Sequence, residues 1–240
     1  MSADALPAPP VEKHKHHRNV TGGWLRPAVF GAMDGLVSNF ALISGVVGGG
    51  ASSTVVVITG LAGLAAGACS MAAGEYTSVA SQTELMQAEI EVEKAELARN
   101  PGGELAELAA LYRARGVDAK TADKVAAQIS AQPELAWRVH VREELGVDPD
   151  DLPSPYVAAI SSFTAFAAGA IVPALPFILG ASGLLVAATV SILGLLLAGG
   201  VVARLTARPW WAGALRQLVL GGLAAAATFG IGSLVGAGLS

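Results

Sequence analysis

Charged side chains are almost absent from two long segments of this chain, and that pattern restricts its fold more than any other. Residues 27–82 contain only Asp34 and Glu75, and residues 153–240 contain only three arginines. A helix that crosses a membrane needs about 20 consecutive, mainly apolar residues. Each segment is long enough for more than one such helix, so the sequence predicts a membrane protein.

The apolar segments divide into five predicted spans, two before and three after an acidic insert. The first runs from about residue 27 to 47, the second starts near residue 54, and the others cover about 156–179, 182–202 and 211–234. Pro173 and Pro176 fall inside span three, where a missing N–H group should kink the helix or unwind a turn.

The insert, residues 83–152, carries most of the charge. It holds fifteen of the 19 acidic residues against eight lysines and arginines, which favours cations over nucleic acid as partners. We predict four helices, at about 78–99, 104–115, 118–131 and 134–145, with a turn at residues 100–103. Span two has no Gly or Pro before the first of them and should run straight into it. The predicted fold is an all-α membrane protein with four parts: a tail (1–26), spans one and two (27–82), the insert (83–152) and spans three to five (153–240).

Basic residues indicate how the chain is oriented. They precede span one and lie around the joint between spans four and five, whereas the loops at the other membrane face have none. The positive-inside rule then places the N-terminus and the insert in the cytoplasm. No cleavable signal peptide is evident, and the Ala- and Gly-rich composition suggests a bacterial cell membrane. A histidine tract in the tail, His14, His16 and His17, either holds metal or belongs to a basic tail near anionic lipid.

Four glutamates of the insert repeat one spacing on both sides of the predicted turn. Glu93 and Glu96, like Glu104 and Glu107, are three residues apart and share a helix face, where like charges repel. A hairpin would present the four carboxylates to each other and to a divalent cation. Alternatively, glutamate is simply a good helix former on a solvated face.

His140 and Glu144 are four residues apart on the last predicted helix and share a face. They could add a nitrogen and an oxygen ligand to the carboxylates. The other interpretation is a surface hydrogen-bonding pair.

Asp34 stands about eight residues inside span one. A carboxylate at the centre of a membrane helix costs about 2.5–3.5 kcal/mol on insertion scales, and such residues usually line an ion or proton path. Met71 and Glu75 lie one turn apart on span two. Facing Asp34, they would form a mixed soft and hard ligand set for a transition metal; the alternatives are a structural pair for Asp34 and simple packing for Met71.

These residues, in this order on five spans, resemble the vacuolar iron transporter family. The anchors are Asp34-Gly35, Met71 with Gly74-Glu75-Tyr76, the four glutamates, and Glu143-Glu144-Leu145-Gly146. The resemblance implies a homodimer in a lipid membrane that moves iron(II) out of the cytosol in exchange for protons, with manganese(II) or zinc(II) as further candidate ions and no other cofactor.

The resemblance also implies roles for single residues. Asp34 and Met71 would form the ion site within the membrane, Glu75 would pass ions or protons, and the insert glutamates with Glu144 would bind ions in the cytosol. The family has two consecutive methionines where this chain has His140 and Val141, so the ligand at that position differs.

Two other functions are compatible with an acidic insert. One is a membrane-anchored metal buffer or sensor, for which a charge inside the bilayer has no use. The other is a di-iron oxidase, which needs two Glu-x-x-His elements. His140 is the only histidine of the insert and no glutamate stands three residues before it, so we expect a transporter and not an enzyme.

Overall fold

The computed structural model describes residues 23–181 and 184–239, and these residues form helices with no β-strand among them. Five of the helices are long and apolar enough to cross a membrane. They are α1 (Leu25–Gly48), α2 (Ser53–Arg99), α6 (Pro155–Ile178), α7 (Leu184–Leu205) and α8 (Trp210–Leu239). This confirms the all-α fold class and the five predicted spans. The histidine tract of the tail lies outside the described residues.

Helix α1 is the centre of the apolar part, because it packs against α2, α6, α7 and α8. Its closest approach is to α6 and depends on two glycines. A Cβ atom on Gly35 would lie 2.2 Å from the carbonyl oxygen of Phe166, and one on Gly169 would lie 2.2 Å from that of Ala32. Glycine therefore lets the two backbones touch, as small residues do at helix interfaces in membranes. This contact fixes the position of the neighbouring Asp34 along the axis of α6.

Helix α2 continues without a break from the apolar part into the insert, as the sequence predicts. Its 47 residues correspond to about 70 Å at 1.5 Å per residue, whereas a hydrocarbon core is about 30 Å thick. More than half of the helix therefore extends beyond any membrane that its apolar part crosses. The acidic residues from Glu84 onwards lie on that extension.

The insert consists of this extension and three short helices, α3 (Pro101–Ala114), α4 (Ala119–Ser130) and α5 (Pro133–His140), followed by a π-helical turn (Val141–Leu145). The threonine hydroxyl of Thr83 donates a hydrogen bond to the carbonyl oxygen of Pro153 (3.0 Å). The two ends of the insert therefore lie together where it joins the apolar helices.

The turn expected at residues 100–103 is shorter than predicted. Only Asn100 interrupts the helices, and its side-chain oxygen accepts a hydrogen bond from the backbone N–H of Gly103 (3.2 Å). Pro101 occupies the first position of α3, where a missing N–H group costs nothing. The following glycines therefore join the helix, and α2 and α3 are separated by a single capping residue.

The prolines of span three do not unwind it, so the second of the two predicted outcomes, a kink or an unwound turn, is not observed. Helix α6 runs through Pro173 and Pro176, and both are buried among neighbouring helices. Interrupted backbone bonds inside a membrane helix are tolerated where adjacent helices surround them. Helix α7 begins at Leu184, and the predicted start at residue 182 lies outside the described residues.

Candidate metal sites

Four side chains from four elements of the insert converge on one point. His140 at the end of α5 contacts three carboxylates through its Nδ1 atom: Glu144 Oε1 at 2.8 Å, Glu93 Oε1 at 3.2 Å and Glu104 Oε2 at 3.7 Å. Their potential ligand atoms all lie within 4.8 Å of one another. We call these four residues the insert cluster, and one metal ion could contact all of them.

Local structure explains how residues so far apart in sequence meet. The single-residue break at Asn100 lets the chain change direction between α2 and α3, and the ligand atoms of Glu104 and Glu93 lie within 4.8 Å of each other. The π-helical turn after His140 carries Glu144 and ends at Gly146, whose φ of 65° is the left-handed conformation that glycine adopts readily. Single π-helical turns are rare and frequently occur at functional sites.

The insert cluster keeps its carboxylates out of water. His140 is fully buried, Glu93 is 5% exposed and Glu104 is 7% exposed. Burial, then the nearby Glu144 carboxylate, raise the pKa of Glu93 from 4.5 to about 7, although His140 opposes the shift. Burial and the neighbouring carboxylates also raise the pKa of Glu104. Three crowded carboxylates in a poorly solvated place attract a cation that would relieve the repulsion.

Two atoms of the cluster make no hydrogen bond within the described part of the chain. They are Nε2 of His140 and Oε1 of Glu93. Where Glu144 is ionised it can only accept a hydrogen bond, so Nδ1 of His140 donates its proton in their 2.8 Å contact. A divalent cation would take the place of that proton.

Glu96 and Glu107 lie outside the insert cluster. Glu96 is partly exposed and pairs with Arg99 (3.4 Å), and Glu107 is exposed. Each i, i+3 pair therefore contributes one buried carboxylate and one outer one. The outer carboxylates still act on the cluster through space, since Glu96 helps to raise the pKa of both Glu93 and Glu104.

Asp34 and Met71 line one cavity between α1, α2 and α6. The cavity has a volume of about 310 Å³. Both residues are partly buried, and Phe166 of α6 forms part of the wall. The cavity therefore combines a carboxylate and a thioether, as the spacing of the two helices predicts.

Glu75 is not part of this wall. It is 8% exposed, and one of its oxygens lies 3.8 Å from Nη1 of Arg26 at the start of α1. It thus stands one turn along α2 from Met71, towards the insert, with an arginine as its neighbour.

Sequence reasoning did not single out Asn39, which also lines the cavity and is 2% exposed. A signal was present, because Asn39 is a strongly polar residue five positions after Asp34 in an otherwise apolar span. Arg115 was missed as well. It forms an ion pair with Glu143, next to the Glu144 ligand candidate.

Comparisons with known proteins agree with this arrangement. The sequence profile of the VIT family matches residues 25–233. A vacuolar iron transporter of Acanthamoeba castellanii is 41% identical over 233 residues, which cover 95% of this chain and 84% of the relative. Vacuolar iron transporter 1 of Oryza sativa subsp. japonica is 29% identical over 238 residues, covering 96% and 94%. Vacuolar iron transporter homolog 1 of Arabidopsis thaliana is 35% identical over 218 residues, covering 89% and 84%. These relatives are eukaryotic and give no support to the expected bacterial membrane.

Proposed function

Because the chain belongs to the VIT family and is an integral membrane protein of a metal transporter family, we propose that it is an antiporter that moves iron(II) out of the cytosol in exchange for protons. Manganese(II) is a second substrate in this proposal, and the protein acts as a homodimer. The observation that carries the proposal is the cavity that places Asp34 and Met71 together between apolar helices.

The insert cluster would collect the ion before transport. Carboxylate and imidazole groups suit iron(II), manganese(II) and zinc(II), and the acidic surface raises the local cation concentration. With the insert in the cytoplasm, as the basic residues predict, the ion passes from the cluster along α2 towards Glu75. Arg26 lies beside Glu75 and competes with the metal ion for its carboxylate, so Glu75 can pair with Arg26 after the ion has left.

Release depends on the carboxylate in the membrane. Ligand carboxylates bind metal only when they are deprotonated, so a proton that reaches Asp34 from the far side weakens its hold on the ion. After release, one proton occupies the carboxylate of Asp34 in place of the metal ion. Met71 is a soft ligand that does not titrate, and it remains in place through the cycle.

Metal-dependent proton flux in proteoliposomes tests the proposal. A pH dye and a metal dye inside the vesicles would follow iron(II), manganese(II), cobalt(II) and zinc(II) under an imposed pH gradient. We expect opposite movement of metal and protons that Asp34→Asn abolishes. Cys69→Ser is the matched control, because Cys69 is an exposed residue of α2 near the level of Met71 that does not line the cavity.

Two results would contradict the antiporter. Metal flux that persists in Asp34→Asn would remove the role of the carboxylate. Metal binding without any flux would favour a membrane-anchored metal buffer or sensor, a function that the buried insert cluster alone could perform. Chemical cross-linking and mass measurement in detergent test the homodimer.

A further inference from the structure

Asn39 is held in one orientation inside the apolar helices. Its side chain is 2% exposed, and Nδ2 donates a hydrogen bond to the backbone carbonyl oxygen of Ala170 on α6 (2.6 Å). A carbonyl oxygen can only accept, so the nitrogen of the amide must face Ala170. The amide oxygen, Oδ1, is therefore turned away from α6.

That oxygen has no hydrogen-bond partner within the described residues, and its residue lines the cavity that contains Asp34 and Met71. Gly63 of α2 stands opposite, where an added Cβ atom would lie 3.0 Å from Oδ1. A side chain at position 63 would fill the space in front of the oxygen. Buried polar atoms are nearly always paired in native proteins, so an unpaired oxygen on a residue that lines a cavity indicates a partner inside that cavity.

We infer that Oδ1 of Asn39 is a ligand for the divalent cation in this cavity, together with the carboxylate of Asp34 and the thioether of Met71. The inference rests on the proposed function and adds a neutral oxygen to its ion site. An amide oxygen does not titrate in the physiological range, so it keeps contact with the ion while Asp34 exchanges metal for a proton. It also adds no charge, which limits affinity and permits release.

The resulting ligand set favours particular metals. Carboxylate and carbonyl oxygens suit manganese(II), the softer thioether of Met71 suits iron(II) better than manganese(II), and zinc(II) sites are built mainly from cysteine and histidine. The described residues that line the cavity include neither. Transport should therefore favour manganese(II) and iron(II) over zinc(II).

A purely structural role explains only half of the geometry. The hydrogen bond from Asn39 to the Ala170 carbonyl links α1 to α6 and explains the position of Nδ2, but it leaves Oδ1 unpaired. A water molecule in the cavity and a group of the second subunit of the proposed homodimer are the other available partners, and in either case removing the oxygen leaves metal affinity unchanged.

The first test is the manganese(II) dependence of transport by Asn39→Leu, which removes the oxygen at similar volume. We expect KM for manganese(II) to rise at least about tenfold, the loss of one hydrogen bond or ligand to a charged partner. Ser162→Ala is the matched control. Ser162 is also buried with an unpaired oxygen, but it does not line the cavity, so its KM should stay within about twofold of the original chain. An unchanged KM in a folded Asn39→Leu protein overturns the inference.

A second variant decides the question if Asn39→Leu does not assemble. Asn39→Asp places a second carboxylate in the cavity, and manganese(II) should then raise the melting temperature more than it does in the original chain. Both proteins carry Glu93→Gln to suppress binding at the insert cluster. A manganese(II) shift no larger than that of Ser162→Ala in the same background overturns the inference. The change in melting temperature also separates the ligand role of Asn39 from the proposed transport function. If the original chain shows no metal flux, the transport function is contradicted, but the effect of manganese(II) on the melting temperature of Asn39→Asp still tests whether residue 39 contacts the ion.

Discussion

Replacing Glu93 by glutamine should stabilise the metal-free protein at neutral and alkaline pH. The pKa of Glu93 rises from 4.5 in the unfolded chain to about 7 in the folded one, mainly through burial. At about 1.4 kcal/mol per unit, ionising this carboxyl in the folded protein costs about 3 kcal/mol. Glutamine keeps the shape of the side chain and removes that cost.

The sign of the pH dependence follows from the direction of the shift. A carboxyl with a raised folded pKa makes its full contribution to folding below pH 4.5 and loses it progressively as the pH rises to about 7. Most of the gain from Glu93→Gln should therefore be present at pH 8 and absent at pH 5. For a chain of this size, about 3 kcal/mol corresponds to a melting temperature about 6–12 °C higher.

The assay is thermal unfolding of the full-length protein in detergent with a chelator, at pH 5 and pH 8. Glu89→Gln is the control, because Glu89 is an exposed glutamate of α2 outside the insert cluster and does not contribute to the raised pKa of Glu93 or Glu104, and a surface change of this kind should stay within about 0.5 kcal/mol. Added manganese(II) should stabilise the original chain and have less effect on Glu93→Gln. A gain of the same size at both pH values, or a loss of stability at pH 8, would refute the reasoning.

Three further substitutions have definite expected outcomes. Gly35→Ala should lower stability by about 1–3 kcal/mol, because its Cβ would meet backbone of Phe166 at 2.2 Å, whereas Gly74→Ala meets nothing within 4 Å and should be harmless; thermal unfolding compares the two. His140→Ala should raise the Kd for manganese(II) at the insert cluster at least about tenfold, as measured by calorimetry, and an unchanged Kd would show that the imidazole is not a ligand. Met71→Leu should raise the KM for iron(II) more than that for manganese(II), since it removes the softer ligand, and an equal rise for both would contradict the thioether contact.

The course of the chain was largely predictable because apolar length and the distribution of charge fix it locally. The five spans and the uninterrupted passage of α2 into the insert follow from residues that are close in sequence. The errors arose where local signals compete with packing. Pro173 and Pro176 left a kink and an unwound turn as alternatives, and the turn is not unwound, because the surrounding helices keep α6 continuous. Residues 101–103 look like a turn, yet Asn100 alone provides the cap.

The candidate sites were predictable as residue types and less so as geometry. Spacing places Glu93 and Glu96 on one face, but tertiary packing decides which of the two is turned inward. The approach of His140 to α2 and α3 depends on how α5 is placed, which no local pattern specifies. Asn39 was overlooked because its position matters only once the carbonyl of Ala170, 131 residues away in sequence, holds it.

The continuity of α2 makes it a lever. Met71 and Glu93 lie on the same unbroken helix, about 33 Å apart at 1.5 Å per residue. If the helix tilts by about 10° around the level of Met71, Glu93 moves by about 6 Å at this rise per residue. That displacement exceeds the 4.8 Å within which the ligand atoms of the insert cluster lie. Because α3 joins α2 through Asn100 alone and α3 and α5 both contact α2, the other ligands move with Glu93. A small rotation that reshapes the cavity in the membrane would therefore shift the whole insert cluster relative to α1 and α6.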